Sequence, residues 1–165
     1  MIQEHLTHTF EPVFNESSKI LILGSFPSVK SRENKFYYGH PQNRFWKVLA
    51  QVLEEEVPQT IEEKKWFLLE HHIAVWDVIE SCMIIGSSDS SIKDVVVNDF
   101  SKVLENSAIE TIYVNGGKAY ELYHKYALEK TGMNAVKLPS TSPANAAWNL
   151  DKLCKAWGVI VEKLM

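Results

Sequence analysis

Cysteine is scarce in this chain: its 165 residues include two, Cys82 and Cys154, far apart in sequence. Two are too few for a four-cysteine zinc or iron–sulfur site. Both sit among apolar residues, the setting of small buried thiols rather than of a disulfide. Long apolar runs are also missing, and none approaches the roughly 20 residues that span a bilayer as a helix. The first twelve residues, MIQEHLTHTFEP, have no cationic stretch followed by an apolar one, so no signal peptide is read there. These absences predict a soluble, cytoplasmic, monomeric protein without metal or cofactor. Internal repeats, linkers and low-complexity segments are absent too, which at this length leaves one domain over residues 1–165.

Positive charge is in deficit, the formal net charge being −4. Such a balance argues at first against a nucleic-acid partner. The distribution changes the argument. Between residues 30 and 47 stand five basic side chains (Lys30, Arg32, Lys35, Arg44, Lys47) and one acid, Glu33. That segment carries +4 and the rest of the chain −8. A basic patch on an acidic body can bind phosphates; an ordinary solvated charge run is the plainer alternative.

Hydrophobic residues make up 45% of the chain, enough for a globular core. Four short apolar runs read as buried strands, over 19–25, 73–78, 111–114 and 135–138. Apolar residues at 45, 46, 49, 52 and 53 mark a helix that should end near Glu56, since Pro58 follows. Thr60 and Glu63 are spaced as a capping box for a helix to about His71. Asn98 is expected to cap a helix to about Glu105. Further helices are predicted from Lys118 to about Glu129 and from Ala147 to Leu164, broken near Gly158, and the serines of 87–91 read as a loop. Strands alternating with helices predict an α/β fold, a three-layer α/β/α sandwich on a central four-stranded, mainly parallel sheet. In such sheets ligands bind beyond the carboxyl ends of the strands. Three polar loops occupy those ends, at 25–43, 115–118 and 140–145.

The first loop sets Phe36, Tyr37 and Tyr38 beside Lys35, His40 and Arg44. Rings that stack on a base and cations that hold the backbone suit a flipped nucleotide. Phe45 and Trp46 read as core, whereas Tyr38, next to a glycine, reads as functional. His40 is a weak general-base candidate. Asn43 stands at the entry to a helix and reads equally as an N-cap. The third loop, LPSTSPANAAW, frames small hydroxyl residues with prolines. Its backbone N–H and hydroxyl groups can meet phosphates, or the segment is an ordinary strand-to-helix turn.

Three blocks carry a family resemblance: GSFPS at 24–28, FYYGHPQNRFWKVL at 36–49 and LPSTSPANA at 138–146, with GGKAYE at 116–121 beside them. From the first strand to the last helix the chain resembles the uracil-DNA glycosylase superfamily. The second block is similar to the mismatch-specific uracil branch. That branch has asparagine, and others aspartate, where this chain has Phe26. Ser140 replaces a histidine or asparagine, and Ala144 a leucine wedge. This loss of the standard polar pair resembles the hypoxanthine (deoxyinosine) DNA glycosylase branch, in which an asparagine outside the first motif serves, here Asn43.

The resemblance implies a cofactor-free hydrolase of base excision repair. It implies Asn43 as catalytic residue and Gly24, Ser25, Phe26, Pro27, Tyr38 and Ser140 at the base. It places Ser28, Lys35, Arg44, Gly117, Lys118, Thr141, Ser142, Pro143, Ala144 and Asn145 on DNA. Other readings stay open: a mismatch-specific uracil glycosylase, an inactive DNA-binding module of the same fold suggested by Phe26, or an α/β protein acting on a free nucleotide suggested by the negative charge.

Overall fold

The computed structural model describes residues 4–7, 10–26, 29–34, 36–84 and 93–165. Pro27, Ser28, Lys35 and the serine-rich loop at 87–91 lie outside the described residues. Seven strands are described: β1 (Glu4–Thr7), β2 (Ile20–Gly24), β3 (Ile73–Asp77), β4 (Ile79–Ile84), β5 (Lys93–Val97), β6 (Thr111–Asn115) and β7 (Ala135–Leu138). The helices are α1 (Val29–Asn34), α2 (Phe45–Val52), α3 (Ile61–Glu70), α4 (Ser101–Glu105), α5 (Gly117–Leu122), α6 (Leu128–Thr131), α7 (Leu150–Trp157) and α8 (Ile160–Leu164).

The four expected strands form one sheet in the order β3-β2-β6-β7, every pair parallel. Ile20, Leu21, Ile22 and Leu23 of β2 are all fully buried, as a central strand covered on both faces requires. Alternation along β2 divides the core in two. Leu21 and Leu23 pack with Val103 of α4 and Ala119 and Leu122 of α5. Ile20 and Ile22 pack with Phe45 and Leu49 of α2, Leu68 of α3, Trp157 of α7 and Ile160 of α8. Each such aliphatic side chain contributes roughly 1.5–3 kcal/mol by leaving water. Helices therefore cover both faces, the expected three-layer sandwich.

The sequence reading missed a second sheet, antiparallel, in the order β1-β4-β5. No turn residue separates β3 from β4. Val78 donates to the Gly24 carbonyl and Ile79 to that of Ser25 before the chain leaves the parallel sheet. One continuous segment, residues 73–84, thus supplies strands to two sheets with no turn residue to mark the change.

Several helix ends also differ. Helix α2 stops at Val52 because Glu54 takes a left-handed backbone, φ +57°. The Thr60 cap forms as expected, its Oγ1 accepting from Glu63 N at 3.0 Å. Asn98 does not cap α4. Its amide donates instead to the Asp77 carbonyl at 2.8 Å, and Asp99 Oδ1 receives the Ser101 N–H. The helix expected over 118–129 is α5 and α6 joined by a π-helical turn, Tyr123–Ala127. The last helix starts later than expected, capped by Asn149, and breaks after Trp157 into α7 and α8. Cys82 is buried, Cys154 partly so, and neither is bridged. Among the described residues no helix is long and apolar enough to cross a membrane.

Candidate active site

Register fixes the floor of the site. Gly24 pairs with Asp77, and Asn115 with Leu138; with Leu23 against Val114, Gly24 lies beside Asn115. Asp77, Gly24, Asn115 and Leu138 therefore form one row at the carboxyl edge of the sheet. The three polar loops all leave from this edge.

At Gly24 the absence of a side chain is a matter of space. A β-carbon there would stand 2.5 Å from Asp77 Oδ1 and 3.1 Å from the Tyr38 hydroxyl. Asp77 is 4% exposed. A carboxylate and a phenol thus close over the glycine. Tyr38 holds a left-handed backbone, φ +53°, uncommon outside glycine and asparagine. Its ring stacks on Phe45, centroids 3.9 Å apart. Its hydroxyl is buried with no hydrogen-bond partner among the described residues, Asn115 approaching without reaching bonding geometry. Burial, and then the nearby Asp77 carboxylate, push this phenol well above its usual range, so it is a neutral donor.

Asn43 lies at the start of α2. Its Oδ1 accepts from Phe45 N at 2.9 Å and from Thr141 Oγ1 at 2.8 Å. A backbone N–H can only donate, so the orientation of the amide is fixed. Both lone pairs of the oxygen are used, while Nδ2 has no partner among the described residues. Asn43 is not the N-cap of α2: that position is Arg44, with no side-chain cap bond, and Asn43, one residue earlier, takes the Phe45 N–H in an Asx-type turn. Its amino group is left for something else.

The loop after β7 is held from inside. Thr141 is fully buried; its N–H donates to Asn115 Oδ1 and its hydroxyl accepts from Asn115 Nδ2, both at 3.0 Å. Arg44 reaches across and donates to the carbonyls of Thr141, Ser142, Asn145 and Trp148. Ser140 Oγ takes the Ser142 N–H, Ser142 Oγ that of Ala144, and the Ser142 carbonyl that of Asn145. Gly116, φ +97°, lets Ser140 come close, since a β-carbon there would meet Ser140 Cβ at 3.0 Å.

Several expectations change accordingly. Thr141, expected on DNA, is buried with its polar groups satisfied within the protein. Arg44, expected on a phosphate, spends its guanidinium on four carbonyls. The backbone N–H groups of residues 141, 142, 144 and 145 are engaged internally, so the loop faces outward with side chains instead. Phe36 and Tyr37 are core, the Tyr37 hydroxyl donating to the Glu11 carbonyl. Phe26, expected at the base, is 9% exposed, and its ring belongs to the core with Leu21, Val78 and Ile79. His40 Nδ1 accepts the Gln42 N–H. Ser25 is half-buried at the end of β2.

Outside the loop opens a cleft of roughly 530 Å³ lined by Gly117, Lys118, Lys137, Ser140, Ser142, Ala144, Asn145 and Trp148, with Asn115 and Gly116 at its floor. Pro143 lies half-buried between Ser142 and the exposed Ala144. Lys118 is shared with Glu121 at 4.0 Å, and Lys137 sits 5.7 Å from the Tyr120 ring. Two lysines beside serine hydroxyls suit a phosphodiester backbone. Among the described residues no three of His, Cys, Asp and Glu come together as a metal site.

Three residues of this site escape a reading by sequence: Asp77, Asn115 and Lys137. Asp77 left one trace, a lone acid closing the apolar run IAVWD. Asn115 and Lys137 gain meaning only from their neighbours in space.

The chain has counterparts among known proteins. The model of the Uracil DNA glycosylase superfamily matches residues 11–164. A protein of Methanosarcina acetivorans named "Hypoxanthine DNA glycosylase" is 37% identical over 145 residues, 87% of this chain and 90% of its own length. One of the same name from Methanosarcina barkeri is 34% identical over 139 residues, 82% of this chain and 86% of its own. The solution NMR structure of a Methanosarcina acetivorans protein, named as a candidate uracil DNA glycosylase, superposes with TM-score 0.79 at 35% identity. It covers 94% of this chain, which covers 96% of it.

Proposed function

Since the chain belongs to the uracil DNA glycosylase superfamily, we propose that it is a DNA glycosylase that hydrolyses the N-glycosidic bond of deoxyinosine and releases hypoxanthine. Two relatives carry that activity in their names. The observation that carries the reading is the state of Asn43. Its oxygen is saturated by Phe45 N–H and the Thr141 hydroxyl, so toward a substrate the amide is a pure donor.

In the reaction the C1′–N9 bond breaks and its electron pair leaves with the base. The sugar becomes oxocarbenium-like, by analogy with O-glycoside hydrolysis. Water adds to C1′ and supplies the proton that the purine takes up, giving an abasic site and free hypoxanthine. A fixed donor against the departing anionic base is worth most in the transition state, about 3–4 kcal/mol for a well-placed one. Asn43 Nδ2 serves as that donor. With Oδ1 filled, it is not the acceptor a water-activating base would need.

The floor of the site supports the same substrate class. Deamination replaces an amino group beside a ring nitrogen with a carbonyl beside an N–H. The Tyr38 hydroxyl and the Asp77 carboxylate, over Gly24, are the complementary donor and acceptor. Such bases also pair poorly, which lowers the cost of flipping them out. The cleft with Lys118 and Lys137 takes the DNA backbone, and the small Ala144 leaves little to wedge into the stack.

The deciding experiment uses labelled duplexes with one deoxyinosine or one deoxyuridine opposite each of the four bases. They are treated with the protein and then with alkali. Strand breaks at deoxyinosine, stronger than at deoxyuridine, are expected. Robust uracil release with none from deoxyinosine would assign the chain to mismatch-specific uracil excision instead.

A further inference from the structure

Asn43 does not set its own orientation. The Thr141 N–H must donate, and it points at Asn115 Oδ1, 3.0 Å away. That contact turns the Asn115 amino group toward Thr141 Oγ1, at 3.0 Å. With this donor accepted, the one proton of the Thr141 hydroxyl goes to Asn43 Oδ1, at 2.8 Å. The second lone pair of Oδ1 takes the Phe45 N–H, at 2.9 Å. Two backbone N–H groups thus fix every proton in the chain Asn115–Thr141–Asn43, and no step in it can reverse without orphaning a donor.

We propose that Asn115 and Thr141 are positioning residues for excision, acting through Asn43 by holding its amino group outward and strengthening it as a donor. This rests on the reading of Asn43 as the catalytic donor. Two effects follow from the geometry. Orientation is the first: with Oδ1 held from two sides, the amide cannot flip to present oxygen to a base that is becoming an anion. Polarisation is the second. Donors into Oδ1 draw charge out of the amide, and hydrogen bonds in series reinforce one another. Thr141 is fully buried, so it acts without touching DNA. The chain also ties the start of α2 to the ends of β6 and β7, so the donor keeps its place over the strand ends.

The test is single-turnover excision from a deoxyinosine duplex over a range of enzyme concentrations, beside a thermal melt. Thr141→Val removes the hydroxyl at nearly constant volume, and Thr141→Ser keeps it. We expect the Val variant to lose roughly 5- to 10-fold in the saturating rate, the worth of one hydrogen bond. The enzyme concentration giving half the saturating rate should stay where it is. Thr141→Ser should recover the rate. The double variant Asn43→Ala/Thr141→Val should be no slower than Asn43→Ala alone, since the two act as one unit. A full rate in Thr141→Val, or a further slowing in the double variant, overturns the inference.

Asn115→Asp gives an independent arm should the valine variant fail to fold. It keeps the acceptor for Thr141 N–H but removes the donor, so the hydroxyl turns toward the new carboxylate and away from Asn43. The same loss of rate is expected, and an unchanged rate overturns the proposal. If Asn43→Ala itself excises at the wild-type rate, the catalytic reading of Asn43 fails. If it is slow while Thr141→Val is fast, only the positioning fails.

Discussion

Arg44 donates through Nη2 to the carbonyl of Ser142 at 2.8 Å, 98 residues further along the chain. The same guanidinium also reaches the carbonyls of Thr141, Asn145 and Trp148. One planar fork thus shapes the loop that borders both the Asn43 network and the lysine cleft. Lysine has the charge but not the fork.

Arg44→Lys is therefore expected to weaken folding rather than DNA contact. Losing charge-assisted hydrogen bonds at a partly buried site should cost about 2 kcal/mol or more. Denaturant unfolding measures that cost. The salt dependence of DNA binding should keep its slope, because this cation holds carbonyls and not phosphate. A slope reduced by about one unit, with stability unchanged, would return Arg44 to the phosphates.

Lys118 and Lys137 are expected to behave in the opposite way. Each changed to alanine should lower the salt slope of binding by about one and weaken all DNA sequences alike. The melting temperature should hardly move, since Lys137 is exposed and Lys118, its side chain 34% exposed, loses only a 4.0 Å surface ion pair with Glu121. Unchanged slopes for both would place the backbone outside the 530 Å³ cleft.

Asn43 separates its two tasks through two substitutions. Alanine removes both the acceptor for the Phe45 N–H and the donor, so about 1 kcal/mol of stability and roughly 100-fold or more in rate should be lost. Aspartate keeps an acceptor for Phe45 N–H and the Thr141 hydroxyl but faces the departing base with an oxygen. It should restore the melt and stay as slow as alanine. Full activity of Asn43→Asp in single-turnover assays would mean that a base, not a donor, is needed.

Tyr38 carries a buried hydroxyl with no partner among the described residues, so Tyr38→Phe should melt at the same temperature or higher. Its excision of hypoxanthine should fall by roughly 5- to 10-fold if the hydroxyl meets the base edge. Tyr38→Ala, which also strips the ring from Phe45, should fall further. The phenol also bears on alkaline stability. Its folded pKa is raised, so its contribution is fully present below the unfolded value of about 10 and fades as pH rises beyond it. Unfolding followed from pH 9 to 11 should therefore fall less steeply in Tyr38→Phe than in wild type.

Much of this was legible in the sequence. The four runs at 19–25, 73–78, 111–114 and 135–138 are the parallel sheet, because a strand buried on both faces must be apolar throughout. The Thr60–Glu63 cap is a contact between near neighbours, and spacing alone suffices to read it. The convergence of three polar loops follows from parallel strands, whose carboxyl ends share one edge. Only the tertiary structure decided what the loop residues do there. Arg44, Thr141, Asn115 and Asp77 are polar side chains whose meaning depends on partners 26 to 104 residues away. Composition shows a cation or a hydroxyl, but a hydrogen bond closes within about 3 Å. Which donor finds which carbonyl is settled by packing and register. The antiparallel sheet was hidden for the same reason: β3 and β4 follow one another without a turn residue, and their division rests on which backbone groups lie opposite.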